Sequence, residues 1–142
     1  MKKIWITGSS GFIGKELVSV LKNDNEIKCF THNTKKNIFK NDQIIQMDFS
    51  NEDNITKVVN KFGIPDIFIH LGWASMTDSE SKEHLIFNVK SSKNLIKKFF
   101  DLGLKKFIFL GSRDEYGERS GSLIETMDSI GKISKYAKSK KI

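Results

Sequence analysis

The sequence predicts an α/β fold, a parallel sheet of about five strands with helices on both faces. Three observations predict it. Short apolar runs alternate along the chain with segments whose apolar residues recur at helical spacing. The runs carry few polar interruptions, as strands buried on both faces do. A glycine-rich turn joins the first run to the first helical segment.

The elements follow in order. Lys3-Ile4-Trp5-Ile6-Thr7 reads as a short buried strand closed by Gly8. Phe12, Ile13, Leu17, Val20 and Leu21 then recur as one helical face. Ile27 to Thr31 reads as a second strand and Ile44 to Met47 as a third. Ile55, Val58, Val59 and Phe62 form another helical face. Pro65-Asp66 introduces Ile67-Phe68-Ile69-His70-Leu71, an almost wholly apolar fourth strand. Leu85, Val89, Ser92, Leu95, Ile96 and Phe99 mark a further amphipathic helix, and Lys106 to Leu110 a fifth strand. Right-handed crossovers make this a doubly wound, Rossmann-like sheet of order 3-2-1-4-5. After Gly117 the chain turns polar, and its last residues read as the first turns of a helix.

Composition bounds the answer further. At 142 residues, with one proline and no repeat, the chain is expected to be one domain over 1–142. Its 11 Phe, 2 Trp and 2 Tyr are ample for a core. At 38% hydrophobic and 29% charged it is not disordered, collagenous or coiled-coil. No run approaches the ~18 apolar residues of a membrane span, and the apolar start is too short for a signal peptide. The single cysteine, Cys29, cannot form an internal disulfide, so a cytoplasmic location is expected. The net charge of +7 favours anionic partners or serves solubility alone. The lysines are scattered, without an Arg-rich arm, so no nucleic-acid partner is expected.

Four motifs carry chemistry. The first is Gly8-Ser9-Ser10-Gly11-Phe12-Ile13-Gly14, directly after strand one and opening a helix. Gly8 permits the tight turn, Gly11 lets the backbone approach a pyrophosphate, and Gly14 lets the helix pack close to the sheet. The helix N-terminus offers free N–H groups to phosphates. An ordinary glycine turn is the bland alternative, which the strand–turn–helix context disfavours.

The second motif is the end of strand two, Thr31-His32-Asn33-Thr34-Lys35-Lys36. An NAD site usually places an acid here, against the ribose 2′-hydroxyl. None is present. Thr31 suits either cofactor, while His32, Lys35 and Lys36 would accommodate a 2′-phosphate, which leans toward NADP. A solvated lysine loop would look the same. Cys29 reads as a small core residue.

The third motif is Tyr136-Ala137-Lys138-Ser139-Lys140, a Tyr-x-x-x-Lys pair on one helical face. An ammonium beside a phenol favours the phenolate, which makes Tyr136 a candidate general acid/base tuned by Lys140. The fourth is Gly111-Ser112-Arg113-Asp114-Glu115-Tyr116-Gly117, past the carboxyl end of strand five, where ligands bind in open parallel sheets. Ser112 is placed to hydrogen-bond a substrate hydroxyl or carbonyl. His32, His70 and His84 do not read as bases for a serine nucleophile, and no cluster has metal-ligand spacing, so no metal is expected.

In this order the motifs resemble the extended short-chain dehydrogenases/reductases, in the NAD-dependent epimerase/dehydratase branch. Thr7 to Gly14, Asp48-Phe49, His70 to Ala74, Asn88-Val89, Gly111 to Gly117 and Tyr136 to Lys140 carry the resemblance, which covers essentially the whole chain. It implies a dinucleotide site of Gly8, Ser10, Gly11, Phe12, Ile13 and Gly14, with Phe12 and Ile13 at the pyrophosphate. Asp48 and Phe49 would border the adenine, with Thr31 and His32 at the end of strand two. Leu71, Gly72, Trp73 and Ala74 would line the nicotinamide half, and Asn88 would lie near its ribose. Ser112, Tyr136 and Lys140 would be the catalytic trio, with Tyr136 and Lys140 also reaching the cofactor.

The function implied is an NAD- or NADP-dependent nucleotide-sugar epimerase, dehydratase or 4-ketoreductase, by hydride transfer at the sugar C4. Gly72-Trp73 departs from the small residues commoner in the family. Family members continue beyond Lys140 into further strands and a substrate domain, so the chain reads as truncated before them. An exposed fifth strand then invites self-association, and a homo-oligomer is expected. A frayed helix end at Lys140 is also expected, and with it a poor catalyst. A non-catalytic dinucleotide-binding fragment or regulatory module therefore remains the other reading.

Overall fold

Strand β1 (Lys3–Thr7) runs through the middle of a five-stranded sheet of order β3-β2-β1-β4-β5. The computed structural model describes residues 1–31, 44–48 and 51–141. His32, Asn33, Lys35, Lys36 and Phe49 lie outside the described residues. The other strands are β2 (Glu26–Thr31), β3 (Ile44–Gln46), β4 (Ile67–His70) and β5 (Phe107–Phe109). Every pairing is parallel, with Ile4 opposite both Ile27 and Ile67. The order is the one the alternation predicts. The strands at the edge are shorter than their apolar runs: β5 leaves out Lys106 and Leu110.

Alternation along the strands sorts the core into two faces. Trp5, Phe30 and Phe68 point to one face, where Ile55, Leu95, Phe99 and Leu104 join them. Ile4, Ile6, Ile27, Cys29 and Ile69 point to the other and meet Val18, with Leu17 and Leu21 beside it. Helix α1 (Phe12–Leu21) therefore covers one face, while α2 (Glu52–Phe62) and α3 (Val89–Asp101) supply the other. This division is what right-handed crossovers demand when the strand order reverses at β1. On the α2 side the core is aromatic. Trp5 lies 5.0 Å from Phe30 and edge-on at 5.8 Å from Phe99, and Phe68 stacks on Phe107 at 5.3 Å.

Helix α2 shows how the local sequence sets its ends. The Asn51 side chain accepts from Asp53 N at 2.9 Å, Glu52 and Asp53 complement the positive helix end, and Gly63 ends the helix at φ +72°.

The described residues form two compact units, Met1–Gly72 with Asn94–Leu110, and Trp73–Lys93 with Gly111–Ile142. The first holds the sheet. The second holds a π-helical turn (His84–Asn88), a 3₁₀ turn (Arg113–Tyr116) and the short helix α4 (Lys135–Lys140). Ser134 caps α4 by accepting from Ala137 N at 3.1 Å. Backbone bonds from Tyr136 N to Ser79 O (2.9 Å) and between Glu118 N and Ile130 O (2.9 Å) tie this unit together. The sequence leads one to expect a frayed end at Lys140. Instead Ser139 and Lys140 are buried, because α4 packs against the π-helical and 3₁₀ turns.

Candidate functional site

In the sheet unit, the turn from β1 to α1 is held by its own backbone. Gly8 has φ +68°, and a Cβ there would lie 2.6 Å from Gly72 N, so only glycine fits. Gly11 caps α1 at φ −76° and closes the turn through Gly11 N to Gly8 O at 3.0 Å. A Cβ on Gly14 would meet Gly8 O at 2.2 Å and Ser9 Cα at 2.7 Å. Gly14 therefore lets the first turn of α1 lie directly against the backbone that leaves β1.

Helix α1 starts without a side-chain cap and without an acid in its first turn. Its first N–H groups are thus not satisfied by a capping side chain. Phe12 is 91% exposed and Ile13 half-exposed on that first turn. Ser9 is buried, and Ser10 is half-buried beside it.

The carboxyl ends of β1, β2 and β4 bring together Thr7, Thr31, His70, Leu71 and Gly72. Thr7 Oγ1 lies 2.7 Å from His70 Nδ1 and accepts from Gly72 N at 3.0 Å. Thr31 accepts through its carbonyl from Met47 N at 3.1 Å, and the exposed Asp48 accepts through its carbonyl from Asn54 Nδ2 at 3.2 Å. Cys29 is buried, and that burial pushes its thiol up in pKa against a hydrogen bond with Ser9 that lowers it. It is a core residue, as its place in a strand predicts.

In the second unit, the Asn88 amide is a clamp. Its Oδ1 accepts from Ala74 N and its Nδ2 donates to Ala74 O, both at 3.0 Å. His84 is fully buried on the same turn. Its Nε2 bonds Asp78 O at 2.8 Å, and its Nδ1 faces Trp73 Nε1 at 3.2 Å.

Tyr136 and Lys140 share the face of α4 that the Tyr-x-x-x-Lys spacing predicts. The Tyr136 ring stands edge-on to His84 at 5.4 Å. The Lys140 ammonium lies 5.7 Å from the Tyr136 ring centroid and 3.8 Å over the Trp73 ring. Burial pushes Lys140 down to about 8, against the attraction of Glu115, which raises it.

Ser112 is the N-cap of the 3₁₀ turn. Its Oγ accepts from Asp114 N at 3.2 Å, and the Glu115 carboxylate accepts in return from Ser112 N. The hydroxyl hydrogen of Ser112 is left to donate. His84 and Glu115 are the two residues of this unit that the sequence reading does not single out as functional. Glu115 was visible in principle, because Ser112-x-x-Glu115 is a capping-box pattern. Among the described residues, no group of three or more His, Cys, Asp or Glu could hold a metal ion. Nor is any helix among them long and apolar enough to cross a membrane.

The chain is similar in sequence and fold to known proteins. The chain is 27% identical to a GDP-6-deoxy-D-talose 4-dehydrogenase of Aggregatibacter actinomycetemcomitans, over 97% of this chain and 45% of that protein. It is also 27% identical to a UDP-glucose 4-epimerase of Klebsiella pneumoniae, over 82% of this chain and 94% of that one. Among solved structures, a UDP-Glc/GlcNAc 4-epimerase of Campylobacter jejuni superposes with a TM-score of 0.75 at 25% identity, covering 99% of this chain and 46% of its own. The chain thus spans less than half the length of the Aggregatibacter and Campylobacter relatives. The family model for NAD dependent epimerases/dehydratases matches residues 4–142, and the chain belongs to the NAD dependent epimerase/dehydratase family.

Proposed function

We propose that this chain carries the dinucleotide-binding turn and the proton-transfer residues of an NAD(P)-dependent nucleotide-sugar epimerase, dehydratase or 4-ketoreductase. The observation that carries the reading is the buried Lys140 beside Tyr136 on α4, with its ammonium 5.7 Å from the phenol ring centroid. The two side chains share one face of the helix, as a proton-transfer pair requires. Tyr136 then takes the proton from a sugar hydroxyl and returns it, while Ser112 donates its hydroxyl hydrogen to the same oxygen.

The turn fits a dinucleotide. Gly8, Ser10, Gly11, Phe12, Ile13 and Gly14 would hold the pyrophosphate at the uncapped start of α1. Thr31, His32, Asp48 and Phe49 would border the adenosine end, and Leu71, Gly72, Trp73 and Ala74 the nicotinamide end. Asn88 contributes by fixing Ala74. When bound, the nicotinamide supplies the acceptor and donor of a hydride at the sugar C4.

The names of the relatives, a GDP-deoxyhexose dehydrogenase and a UDP-glucose epimerase, support a nucleotide sugar as substrate. The absence of an acid at Thr31-His32-Asn33, with Lys35 and Lys36 after it, supports NADP. The lone buried Cys29 supports a reducing, cytoplasmic compartment.

The test is single-turnover chemistry with protein in excess over UDP- and GDP-hexoses, read by nicotinamide absorbance. Wild type transfers hydride, and Tyr136→Phe loses the transfer while keeping its cofactor affinity. Equal transfer by Tyr136→Phe overturns the assignment. Cofactor binding with no transfer to any sugar moves the reading to a non-catalytic binding module.

A further inference from the structure

We propose that Trp73 and His84 are positioning residues, with the indole face of Trp73 seating the Lys140 ammonium and His84 fixing the indole. The proposal rests on the functional reading above for its consequence in catalysis. It rests only on the geometry of one compact unit for its structural content.

A buried cation needs a partner that water no longer provides. Lys140 is 6% exposed, and its Nζ lies 3.8 Å over the Trp73 ring, closer than it lies to Tyr136. That is well inside the range at which an ammonium is held by an aromatic face. Indole is the strongest such face among the side chains.

A seat is useful only if it is fixed. Trp73 Nε1–H points at His84 Nδ1, 3.2 Å away. The other ring nitrogen of His84, Nε2, faces the Asp78 carbonyl at 2.8 Å. A carbonyl only accepts, so Nε2 carries the proton and Nδ1 presents its lone pair. That lone pair takes the Trp73 N–H, and Asn88 Nδ2 approaches it at 3.3 Å. Both ring nitrogens of His84 are thus engaged, with the orientation of the ring set by a backbone carbonyl.

The π-helical turn carries His84 into this position. Val89 N–H reaches back to His84 O, and the wider turn places His84 and Asn88 side by side, both buried. The His84 ring also meets Tyr136 edge-on at 68°. One buried imidazole thus touches the phenol directly and the ammonium through the indole. It sets the two members of the Tyr-x-x-x-Lys pair against a common reference.

The test begins on the chain itself. In ¹H–¹³C spectra the Lys140 ε-methylene is expected upfield of every other lysine, shifted by the Trp73 ring current. Trp73→Leu should return it to the ordinary lysine position. Trp73→Phe keeps a smaller shift, and His84→Ala reduces it by freeing the indole. The same variants are then compared in single-turnover hydride transfer. Trp73→Leu and His84→Ala should slow the step about tenfold, with Trp73→Phe recovering most of the loss in Trp73→Leu, and His84→Ala showing the effect without touching the cofactor-lining Trp73 itself. A Lys140 resonance at the ordinary position in wild type, or one that Trp73→Leu leaves unmoved, overturns the proposal. So does an unchanged rate in both Trp73→Leu and His84→Ala. If Trp73→Leu does not fold, Trp73→Phe and His84→Ala decide alone. A wild-type shift that behaves as expected, in a protein that transfers no hydride, upholds the seat and overturns the catalytic reading instead.

Discussion

Thr7 and His70 are register partners on β1 and β4, and their side chains are joined by a 2.7 Å hydrogen bond between Oγ1 and Nδ1. The same Oγ1 accepts from Gly72 N at 3.0 Å. One hydroxyl therefore bonds the imidazole and accepts from the backbone that leaves β4. It links the glycine turn to the segment against which Gly8 is pressed.

Thr7→Val keeps the shape of the side chain and removes both bonds. The Gly72 amide and His70 Nδ1 are then left without this partner, at a cost of about 1–3 kcal/mol. Denaturant titration is expected to show a lower midpoint at unchanged slope. Thr7→Ser, which keeps the hydroxyl, should recover most of the loss. A Thr7→Val protein as stable as wild type would show that the hydroxyl is dispensable.

The three glycines of the turn should separate fold from binding. Gly14→Ala forces a methyl into the Gly8 carbonyl, and is expected to cost about 2 kcal/mol or more. Gly11 has ordinary φ and only one near neighbour, Gly8 O at 3.2 Å. Gly11→Val should therefore fold with a loss near 1 kcal/mol at the cap, yet weaken dinucleotide binding about tenfold or more. Thermal unfolding and calorimetry on the two variants check this. Unchanged affinity in Gly11→Val would remove the pyrophosphate from this turn.

Cofactor choice is expected to favour NADP over NAD. The reason is in the sequence alone, since no acid follows Thr31 while Lys35 and Lys36 lie just beyond. Dissociation constants for the two cofactors decide it. The double change Lys35→Glu, Lys36→Glu should weaken NADP and leave NAD nearly unaffected. Tighter binding of NAD by wild type would mean that the lysines are only solvated.

Lys140 gives the stability a pH dependence of definite sign. Burial lowers its folded value to about 8 from an ordinary 10.5. Below about pH 8 it is charged in both the folded and unfolded chain, and the cost of burying the charge is present in full. Between about pH 8 and 10.5 the folded protein gives up the proton while the unfolded chain still holds it. Stability from this residue therefore rises with pH across that window. Lys140→Met lacks the rise. It should be more stable than wild type at neutral pH, by a margin that closes as pH climbs through the window. Parallel unfolding curves for the two proteins would overturn this.

Much of the fold is legible because strands buried on both faces leave a plain trace. Ile4-Trp5-Ile6 and Ile67-Phe68-Ile69 are strands by composition alone, and the crossover rule then orders the sheet. Ends are less legible. Phe107–Phe109 pairs over three residues, although its apolar run is longer, because pairing stops where the neighbour stops. The Tyr136–Lys140 face follows from helical spacing. His84 does not, because a histidine on an amphipathic helix looks alike whether solvated or enclosed. What encloses it is Trp73 and Tyr136, neither of them near enough in sequence to leave a pattern. Ser112 shows the reverse case. Its capping role was written in Ser112-x-x-Glu115 and is additional to the donor role read from its place beyond β5.

The central place of β1 governs the order in which the molecule can be assembled. β1 is made before its partner β4, which arrives only after α1, β2, β3 and α2, with Thr7 and His70 63 positions apart. The β1–α1–β2 segment closes a short loop and can form early, whereas β1–β4 must close a long one. The turn at Gly8 leaves the ribosome well before Gly72 does. Its final shape waits for Gly72, whose amide lies where a side chain on Gly8 would go. Nascent chains that have not yet reached β4 should therefore already bury Val18 against Ile27 while still lacking a finished turn.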